Sequence, residues 1–412
     1  MPTAIGAVTT GTVLAARRPY VLGWERVIDL DPEVTPFLTI LSKTKRESVD
    51  DVKIQWHEYT RLPEYTLINN AGVAAADAVA GTVTTITVDS ATGAYFRAGH
   101  IIRNMRTGEL MLVGTPAANT LAVTRQYGYD SGNSCGTAAA TLNDNDPLVI
   151  IGNVVDEGST AVTPLDATED EKFNYLQIMR QDISLTNSEA GTKLRTESND
   201  RVYRRRHALA LLKIELERSL IWGERKLVTS TKRIAGGLLF YIGSATDMNG
   251  TMTEYDFDCA LETLFMHSSD GPYSGTKLAL CGPRPLTVIA HYAKEKVRLN
   301  EEKSKQYGLN ITSYHSSCGG TLDLVLHPLF KSYSNGTTSY GLQNSMVIVD
   351  PNEVKFCYGP NANGINRDLT LIADTQAPGT DAKQDEWITE CGIIVGHGGT
   401  GGVHGYFSNI TG

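Results

Sequence analysis

One segment, LRTESNDRVYRRRHALALLKIELERSLIWGE, constrains the fold of this chain more than any other. It spans Leu194–Glu224, and its apolar residues recur at spacings of three, four or seven, which is the pattern of one stripe on a single long helix. At 1.5 Å per residue the helix would be roughly 45 Å long, which is typical of a spine on which other elements pack. Gly223 is placed to end it. The stripe consists of Val202, Leu209, Leu212, Leu216 and Leu220.

Two long strand segments lie before this helix and enclose a region of different character. In VKIQWHEYT, apolar residues such as Trp56 alternate with polar ones, which predicts a half-buried strand. FNYLQIMRQDISLTN shows the same alternation in its later part. Between them, from Ala71 to Ser159, short β-type runs alternate with turn clusters and show no helical period, which predicts a small all-β domain. We interpret the two strands as one two-stranded arm that carries the inserted domain.

The remainder of the chain alternates between helix and strand patterns. Helices are predicted at Tyr255–Met266 and Pro285–Val297, and a short helix near Asp31–Ser42 precedes the arm. The 39 glycines agree with a chain rich in β structure and turns. Strands are predicted at Lys277–Cys281, Leu309–Tyr314, Thr321–Val325, Met346–Val349, Val354–Tyr358, Leu369–Ala373 and Trp387–Val395.

The glycine-rich segment GHGGTGGVHG follows the last apolar run and contains G-x-G-x-x-G at Gly396–Gly401. A dinucleotide site built on this motif needs a helix after the glycines and an acidic residue about 20 residues further on. Only Gly402–Gly412 follow, without the length or the pattern of a crossover helix. A glycine-rich turn that joins two strands is therefore the favoured interpretation, and a nucleotide-binding enzyme is a remote alternative. His397 and His404 are interpreted as surface histidines of this turn.

Charge and cysteine content limit the classes of function. The net charge of −9 argues against a dedicated nucleic-acid binder. The six cysteines lie far apart with no C-x-x-C pair, which is typical of free thiols in a reducing compartment. No apolar run approaches the ~20 residues of a membrane span, and the N-terminus lacks the pattern of a secretory signal. The sequence shows no metal, cofactor or catalytic constellation, so we predict a protein that is not an enzyme and has no cofactor.

The densest basic cluster lies at the start of the long helix and consists of Arg201, Arg204, Arg205 and Arg206. Two interpretations are open. A nucleic-acid or phosphate contact would use these charges directly, although no aromatic residues are interleaved with them. An ion-pairing face, solvated or between subunits, is favoured in an acidic chain. Its candidate acidic partners are Asp166, Glu169, Asp170 and Glu171.

The order of these parts, together with several short segments, resembles the major capsid proteins of tailed bacteriophages, in the variety with a β-domain inserted in the extended loop. VKIQWHEYTRLP is similar to the outgoing strand of that loop, and FNYLQIMRQDISLTNSEA to its returning strand. RTGELMLVG and LVIIGNVVDEGS resemble the inserted domain. ALALLKIELERSLIWGE resembles the spine helix, and RIAGGLL the step that follows it. WITECGIIVGHGGTGGVHG is similar to the closing strand, but histidine and glycine replace the acidic closing turn usual in the family.

The resemblance implies an α+β fold of the HK-ninety-seven type. Its parts would be an N-terminal arm with a short helix, an extended two-stranded loop, an all-β insertion domain, a peripheral domain with the spine helix, an axial α/β domain, and closing strands that return to the peripheral domain. In that order, the implied bounds are 1–48, 49–70 with 160–190, 71–159, 191–235, 236–345 and 346–412.

The resemblance also implies a function, which is that of a virion subunit assembling into hexamers and pentamers of an icosahedral head around double-stranded DNA. Assembly would occur in the cytoplasm of the bacterial host. The implied partners are further copies of the chain, a separate scaffolding protein, a portal at one vertex, a possible decoration protein, and packaged DNA bound without sequence specificity; no membrane is expected.

The alternative is another multimeric virion component, such as a tail-tube or adhesion protein. Candidate inter-subunit contacts, with exposed apolar surface expected at Trp56, Leu176 and Ile178, are Trp56, Glu58, Arg61, Leu176, Ile178, Arg204 and Arg205.

Overall fold

The chain divides into two compact units in a computed structural model. Unit 1 comprises Met1–Trp56 with Lys172–Gly412, and unit 2 comprises His57–Glu171. Within the described residues, no helix is both long enough and apolar enough to cross a membrane. The structure describes residues 35–43, 46–59, 62–69, 83–129, 136–138, 140–159, 164–167, 169–191, 200–243, 245–296, 311–334, 339–359, 367–398 and 402–411.

The described helices and strands follow the alternation expected from the sequence. The helices are α1 (Pro36–Leu41), α2 (Asn187–Gly191), α3 (Asp200–Trp222), α4 (Leu238–Ile242), α5 (Glu254–Met266) and α6 (Pro283–Lys296). The strands of the first half are β1 (Arg46–Ser48), β2 (Lys53–Glu58), β3 (Tyr65–Leu67), β4 (Val83–Thr87), β5 (His100–Asn104), β6 (Leu110–Pro116), β7 (Thr120–Thr124), β8 (Pro147–Asn153), β9 (Asp170–Tyr175) and β10 (Gln177–Thr186). Those of the second half are β11 (Lys226–Leu227), β12 (Arg233–Ile234), β13 (Thr246–Gly250), β14 (Thr276–Cys281), β15 (Ile311–His315), β16 (Thr321–Leu326), β17 (Ser332–Ser334), β18 (Ser339–Gly341), β19 (Met346–Val349), β20 (Val354–Tyr358), β21 (Thr370–Ile372), β22 (Ala382–Val395) and β23 (Gly405–Ile410).

Helix α3 is the described part of the predicted spine. It is 23 residues long, or about 35 Å, and its start at Asp200 follows residues 192–199, which lie outside the described part of the chain. Leu212, Leu216 and Leu220 of the predicted stripe are buried. Val202 differs from the prediction because it is 39% exposed, so the apolar contact is confined to the later turns. These turns pack with α1, α4, β20 and β22 in the main core of unit 1.

The sheet beside the spine helix runs β1-β20-β22-β10, with β21 also paired to β22. Strand β10 is antiparallel to β22 over ten residues, from Gln177 opposite Cys391 to Thr186 opposite Ala382. The sequence interpretation paired this whole returning segment with VKIQWHEYT, and that pairing is corrected here. Only β9 pairs with β2, because the backbone of β10, where Ile183 and Leu185 are buried, is hydrogen-bonded to β22 along its whole length.

A second sheet of unit 1 has the order β13-β23-β19-β14-β16-β15 and mixes parallel with antiparallel pairs. Its central strands are apolar and nearly fully buried, and residues of α5 and α6 complete the core. Thr253 begins α5 with a capping box, in which its hydroxyl accepts the N–H of Asp256 while the Asp256 carboxylate accepts the N–H of Thr253.

Unit 2 contains an antiparallel six-stranded sheet of order β3-β8-β5-β6-β7-β4. Buried and exposed residues alternate in β5, β6 and β7, as expected for a sheet with one face on a core. That core is formed by aliphatic residues with Phe96 and Met111. The domain bounds given above remain predictions.

Candidate inter-subunit surface

The root of the arm is a small apolar cluster in unit 1. Leu176 is fully buried against Ile54 and Cys357, and Trp56 packs on the same cluster. The Trp56 ring also lies 5.7 Å from that of Tyr241, centre to centre. The sequence interpretation expected an exposed Leu176. The structure corrects this, because Leu176 is held between the strands of the arm root, where its N–H donates to the carbonyl of Val52.

Asn174 fixes the returning strand at this root. Its side chain is fully buried and uses its full hydrogen-bonding capacity. The amide nitrogen donates to the carbonyls of Gly236 (3.1 Å) and Ile393 (2.7 Å), and the amide oxygen accepts the N–H groups of Gly236 and Tyr175 (both 2.8 Å). Sequence analysis assigned no role to Asn174, although an amide between two aromatic residues, Phe173 and Tyr175, was the available signal.

Arg225 and Tyr241 both contact Phe173, the neighbour of Asn174. The guanidinium of Arg225 lies 3.8 Å from the Phe173 ring centre and donates to the Phe173 carbonyl at 2.6 Å. The Tyr241 hydroxyl donates to the same carbonyl at 2.8 Å. Burial raises the pKa of Tyr241 to about 12. The polar groups of Asn174, Arg225 and Tyr241 at the arm root are therefore all hydrogen-bonded.

Ile178 is placed differently from Leu176. It lies on β10 with 42% of its surface exposed, as the sequence interpretation expected. It lines a groove of about 360 Å³ between β10 and the β11–β12 hairpin, together with Val228 and Ile234. Of the three predicted apolar contact residues, Ile178 therefore has the largest exposed fraction in the protomer.

The arginines at the start of α3 pair with acidic residues of unit 1. Arg201 (2.5 Å) and Arg205 (2.7 Å) both contact the carboxylate of Asp385 on β22, while Arg204 contacts Asp200 one turn earlier at 2.7 Å. Burial alone would raise the pKa of Asp385, but the hydrogen bonds from Arg201 and Arg205 hold it well below its usual range. These contacts favour the ion-pairing interpretation over a phosphate site, with partners other than those nominated from the sequence.

A buried carboxylate on α3 accepts hydrogen bonds from the first turn of helix α1. Glu217 is fully buried, and its oxygens accept the N–H groups of Phe37 (2.8 Å) and Leu38 (2.7 Å) in the first turn of α1. It also contacts His327 Nε2 at 2.9 Å. Because His327 Nδ1 accepts the N–H of Leu329, Nε2 carries the proton that is donated to Glu217. Sequence analysis missed Glu217, a charged residue among the buried leucines of the helix.

The two other predicted contact residues lie near the start of unit 2. Glu58 ends β2 and is only 5% exposed, so little of its surface is available to a partner. Arg61 lies outside the described residues.

The glycine-rich segment joins two strands, as the favoured interpretation expected. Strand β22 ends at Val395 and β23 begins at Gly405, so a strand stands where a nucleotide site would need a helix. The surface placement of His404 is wrong, because this side chain is only 7% exposed. Its Nδ1 accepts the N–H of Asp350, and its Nε2 donates to the Gly396 carbonyl. Burial lowers the pKa of His404 to about 4.

The described residues contain no group of three or more side chains that could hold a metal ion. The described cysteines are free thiols, and burial raises the pKa of Cys357 and of Cys391 to about 12, so both are neutral.

A family model for the SU10 major capsid protein matches residues 24–405, and the chain belongs to this family. It is therefore a major capsid protein, a structural subunit of an icosahedral phage head and not an enzyme, which confirms the sequence prediction. Its place is the virion. The tail-tube, adhesion and nucleotide-enzyme alternatives are set aside.

Several solved capsids are similar in structure at low identity. A cyanophage A-1(L) capsid chain is 10% identical with a TM-score of 0.47, covering 98% of this chain and 99% of that one. A chain of Mycobacterium phage Adephagia is 12% identical with a TM-score of 0.44, covering 98% of both. A capsid chain of an empty GTA particle is 7% identical with a TM-score of 0.49, covering 98% and 100%. No curated protein matches the sequence.

Proposed function

We propose that copies of this subunit form hexamers and pentamers by docking through the arm formed by β2 and β9, and that the closed head encloses double-stranded DNA. Among the described strands, β2 and β9 pair only with each other, so each has a strand partner on one edge. Unpaired edges are a liability in a monomer but offer a docking surface to a neighbouring copy. This arrangement, in a chain of the capsid family, is the observation that carries the proposal.

The candidate contact residues divide by exposure into contacts and supports. Ile178 and Arg204 have accessible side chains, and we assign them to direct contact with a neighbouring copy. Trp56, Glu58, Leu176 and Arg205 are largely enclosed by their own chain, and we assign them to holding the arm and the spine helix in position. Arg61 is kept as a contact candidate on its place in the sequence.

The remaining partners follow from the same proposal. A separate scaffolding protein, a portal at one vertex and a possible decoration protein would complete the head, which would assemble in the host cytoplasm. The net charge of −9 supports a shell that encloses DNA without condensing it or binding it by sequence.

Ile178→Asp tests the proposed contact on β10, which continues the chain after the arm root. Because Ile178 is 42% exposed, we expect the protomer to fold with an unchanged unfolding temperature. A charge in a buried interface should reduce closed shells to soluble subassemblies in sedimentation and negative-stain microscopy. Ile178→Val is the matched control and should assemble normally. Shells of normal size and yield from Ile178→Asp would contradict the proposed contact.

A further inference from the structure

Two exposed segments, one in each unit, combine apolar side chains with charge of one sign. The first is the turn of the β11–β12 hairpin, residues 226–232, which we call the basic hairpin. The second follows β8 at residues 154–157, which we call the acidic strand end. Both are exposed along their whole length.

The basic hairpin is ordered but uncovered. The N–H of Val228 donates to the carbonyl of Lys232 at 2.9 Å, and the N–H of Lys232 donates to the Thr229 hydroxyl at 3.0 Å. Leu227 and Val228 are nevertheless each 50% exposed. A two-stranded hairpin of this size is marginal alone in water, so a covering partner would stabilise it.

The lysine charges of the basic hairpin are not neutralised by any of the residues that the structure describes. Arg225 and Arg233, at its root, are occupied by Phe173 and Glu390. Within the described part of the chain, Lys226 and Lys232 make no ion pair. Residues 226–232 contain these two lysines and no acidic residue.

The acidic strand end has the opposite character. Val154 is 38% and Val155 is 53% exposed. The backbone is fixed by the Val154 N–H, which donates to the Gly99 carbonyl at 2.8 Å, and by a turn at Gly158 with φ +76°. Asp156 and Glu157 follow the valines and make no side-chain ion pair to any described residue. An apolar pair beside two carboxylates is the complement of an apolar pair beside two lysines.

We propose that the basic hairpin of one copy docks against the acidic strand end of a neighbouring copy. Val154 and Val155 would cover Leu227 and Val228, while Lys226 and Lys232 would face Asp156 and Glu157. Apolar contact would supply most of the affinity, and the charges would fix orientation and exclude other pairings. This inference rests on the proposed self-assembly.

A competing acidic segment, the one nominated from the sequence, lies at residues 166–171. Asp166 accepts a hydrogen bond from the Tyr59 hydroxyl at 3.1 Å and another from the N–H of Ala167. Asp170 and Glu171 also have partners within the chain. The carboxylates of the acidic strand end are therefore better placed to receive the lysines.

A charge exchange tests the pairing in the full-length chain. Lys226→Glu with Lys232→Glu, and separately Asp156→Lys with Glu157→Lys, should each lower the yield of closed shells by about tenfold or more, since like charges would then face each other. All four substitutions in one chain should restore assembly. The matched control reverses two exposed charges outside both segments, Lys331→Glu with Asp144→Lys, and should assemble normally.

The outcomes separate this inference from the proposed function. Unchanged unfolding temperatures of the unassembled protomers establish that the variants fold. If both reversals form shells in normal yield, or if the fourfold variant fails to recover, the pairing is overturned while self-assembly stands. If the unaltered chain forms no closed shells even when a scaffolding protein is supplied, the proposed function itself fails.

Discussion

The two six-stranded sheets differ in the state of the polar groups that they bury. In unit 1, β14 and β19 are buried and mostly apolar, and the polar groups buried beside them are the Lys277–Asp350 ion pair (3.7 Å) and a neutral histidine, His404. In unit 2, strands that alternate buried and exposed residues enclose charged pairs, Glu109 with Arg125 and Asp146 with Arg106. Acid and truncation should therefore act on the two units through different groups. Each sheet therefore has its own buried polar groups on which its stability depends, and hydrogen exchange can measure the local unfolding that follows their loss.

The largest effect is expected from removal of one charge of the buried pair in unit 2. Arg125 donates to Glu109 through Nε (3.0 Å) and Nη2 (2.7 Å), and both side chains are fully buried. Arg125→Met leaves the Glu109 carboxylate buried without its cation, which should destabilise unit 2 by about 3–5 kcal/mol. Hydrogen exchange of unit 2 peptides in the full chain measures this loss.

Its control is the double variant Arg125→Met with Glu109→Leu, which removes both charges and should recover most of the lost stability. If Arg125→Met alone leaves exchange in β6 and β7 unchanged, the buried pair does not stabilise unit 2.

Acid should act on unit 1 through His404. Its pKa is about 4 in the folded chain and 6.5 ordinarily, because burial opposes protonation, and Lys277 and His397 add to the effect while Asp350 opposes it. The unfolded chain therefore binds the proton first, and stability is lost as the pH falls from about 6.5 to about 4, by on the order of 3 kcal/mol. Hydrogen-exchange protection factors of β19 and β23, corrected for the intrinsic exchange rate at each pH, should fall over this range. His404→Gln, which cannot take up a proton, should abolish that dependence; its persistence would show that another group is responsible.

Through Asp146, acid should act on unit 2 at lower pH and with a smaller effect. The hydrogen bond from Arg106, aided by Asn104 and the N–H of Asn143, lowers the pKa of Asp146 to about 2. The stabilisation is complete above the ordinary pKa of 3.8 and is lost as the pH falls towards 2, by on the order of 2 kcal/mol. Because burial also lowers the pKa of His100 on β5, the contribution of Asp146 is measured in a His100→Gln background, where β5 and β8 should stay protected at pH 5 while unit 1 is already weakened. Faster exchange in unit 2 than in unit 1 at pH 5 would reverse the comparison.

Sequence reasoning located the elements that rest on a periodic pattern. Strand β19 has the predicted bounds, and α5 begins within one residue of its prediction, because apolar period and capping are local properties. The partner of β10 could not be obtained in this way, since the alternation around Ile183 and Leu185 indicates a buried face without naming the strand that shares it. Pairing between segments about 200 residues apart is decided by the tertiary fold.

The candidate surface was predictable only in part. Ile178 was correctly expected to be exposed. Leu176, two residues earlier, is buried because it is the residue at which the chain passes from β9 to β10. Asn174, Glu217 and His404 were missed or misplaced because each is a polar residue whose partners come from distant segments. Composition makes such residues look like surface residues, and only their hydrogen bonds show that they are not.

The central claim is that copies of this chain build a closed shell. Cryo-electron microscopy of particles purified after expression of the full-length chain, with a scaffolding protein supplied if one is required, tests it most directly. We expect icosahedral shells in which the β2–β9 arm of each subunit contacts a neighbouring copy. A homogeneous monomer, or open tubes of continuous length, would contradict the claim.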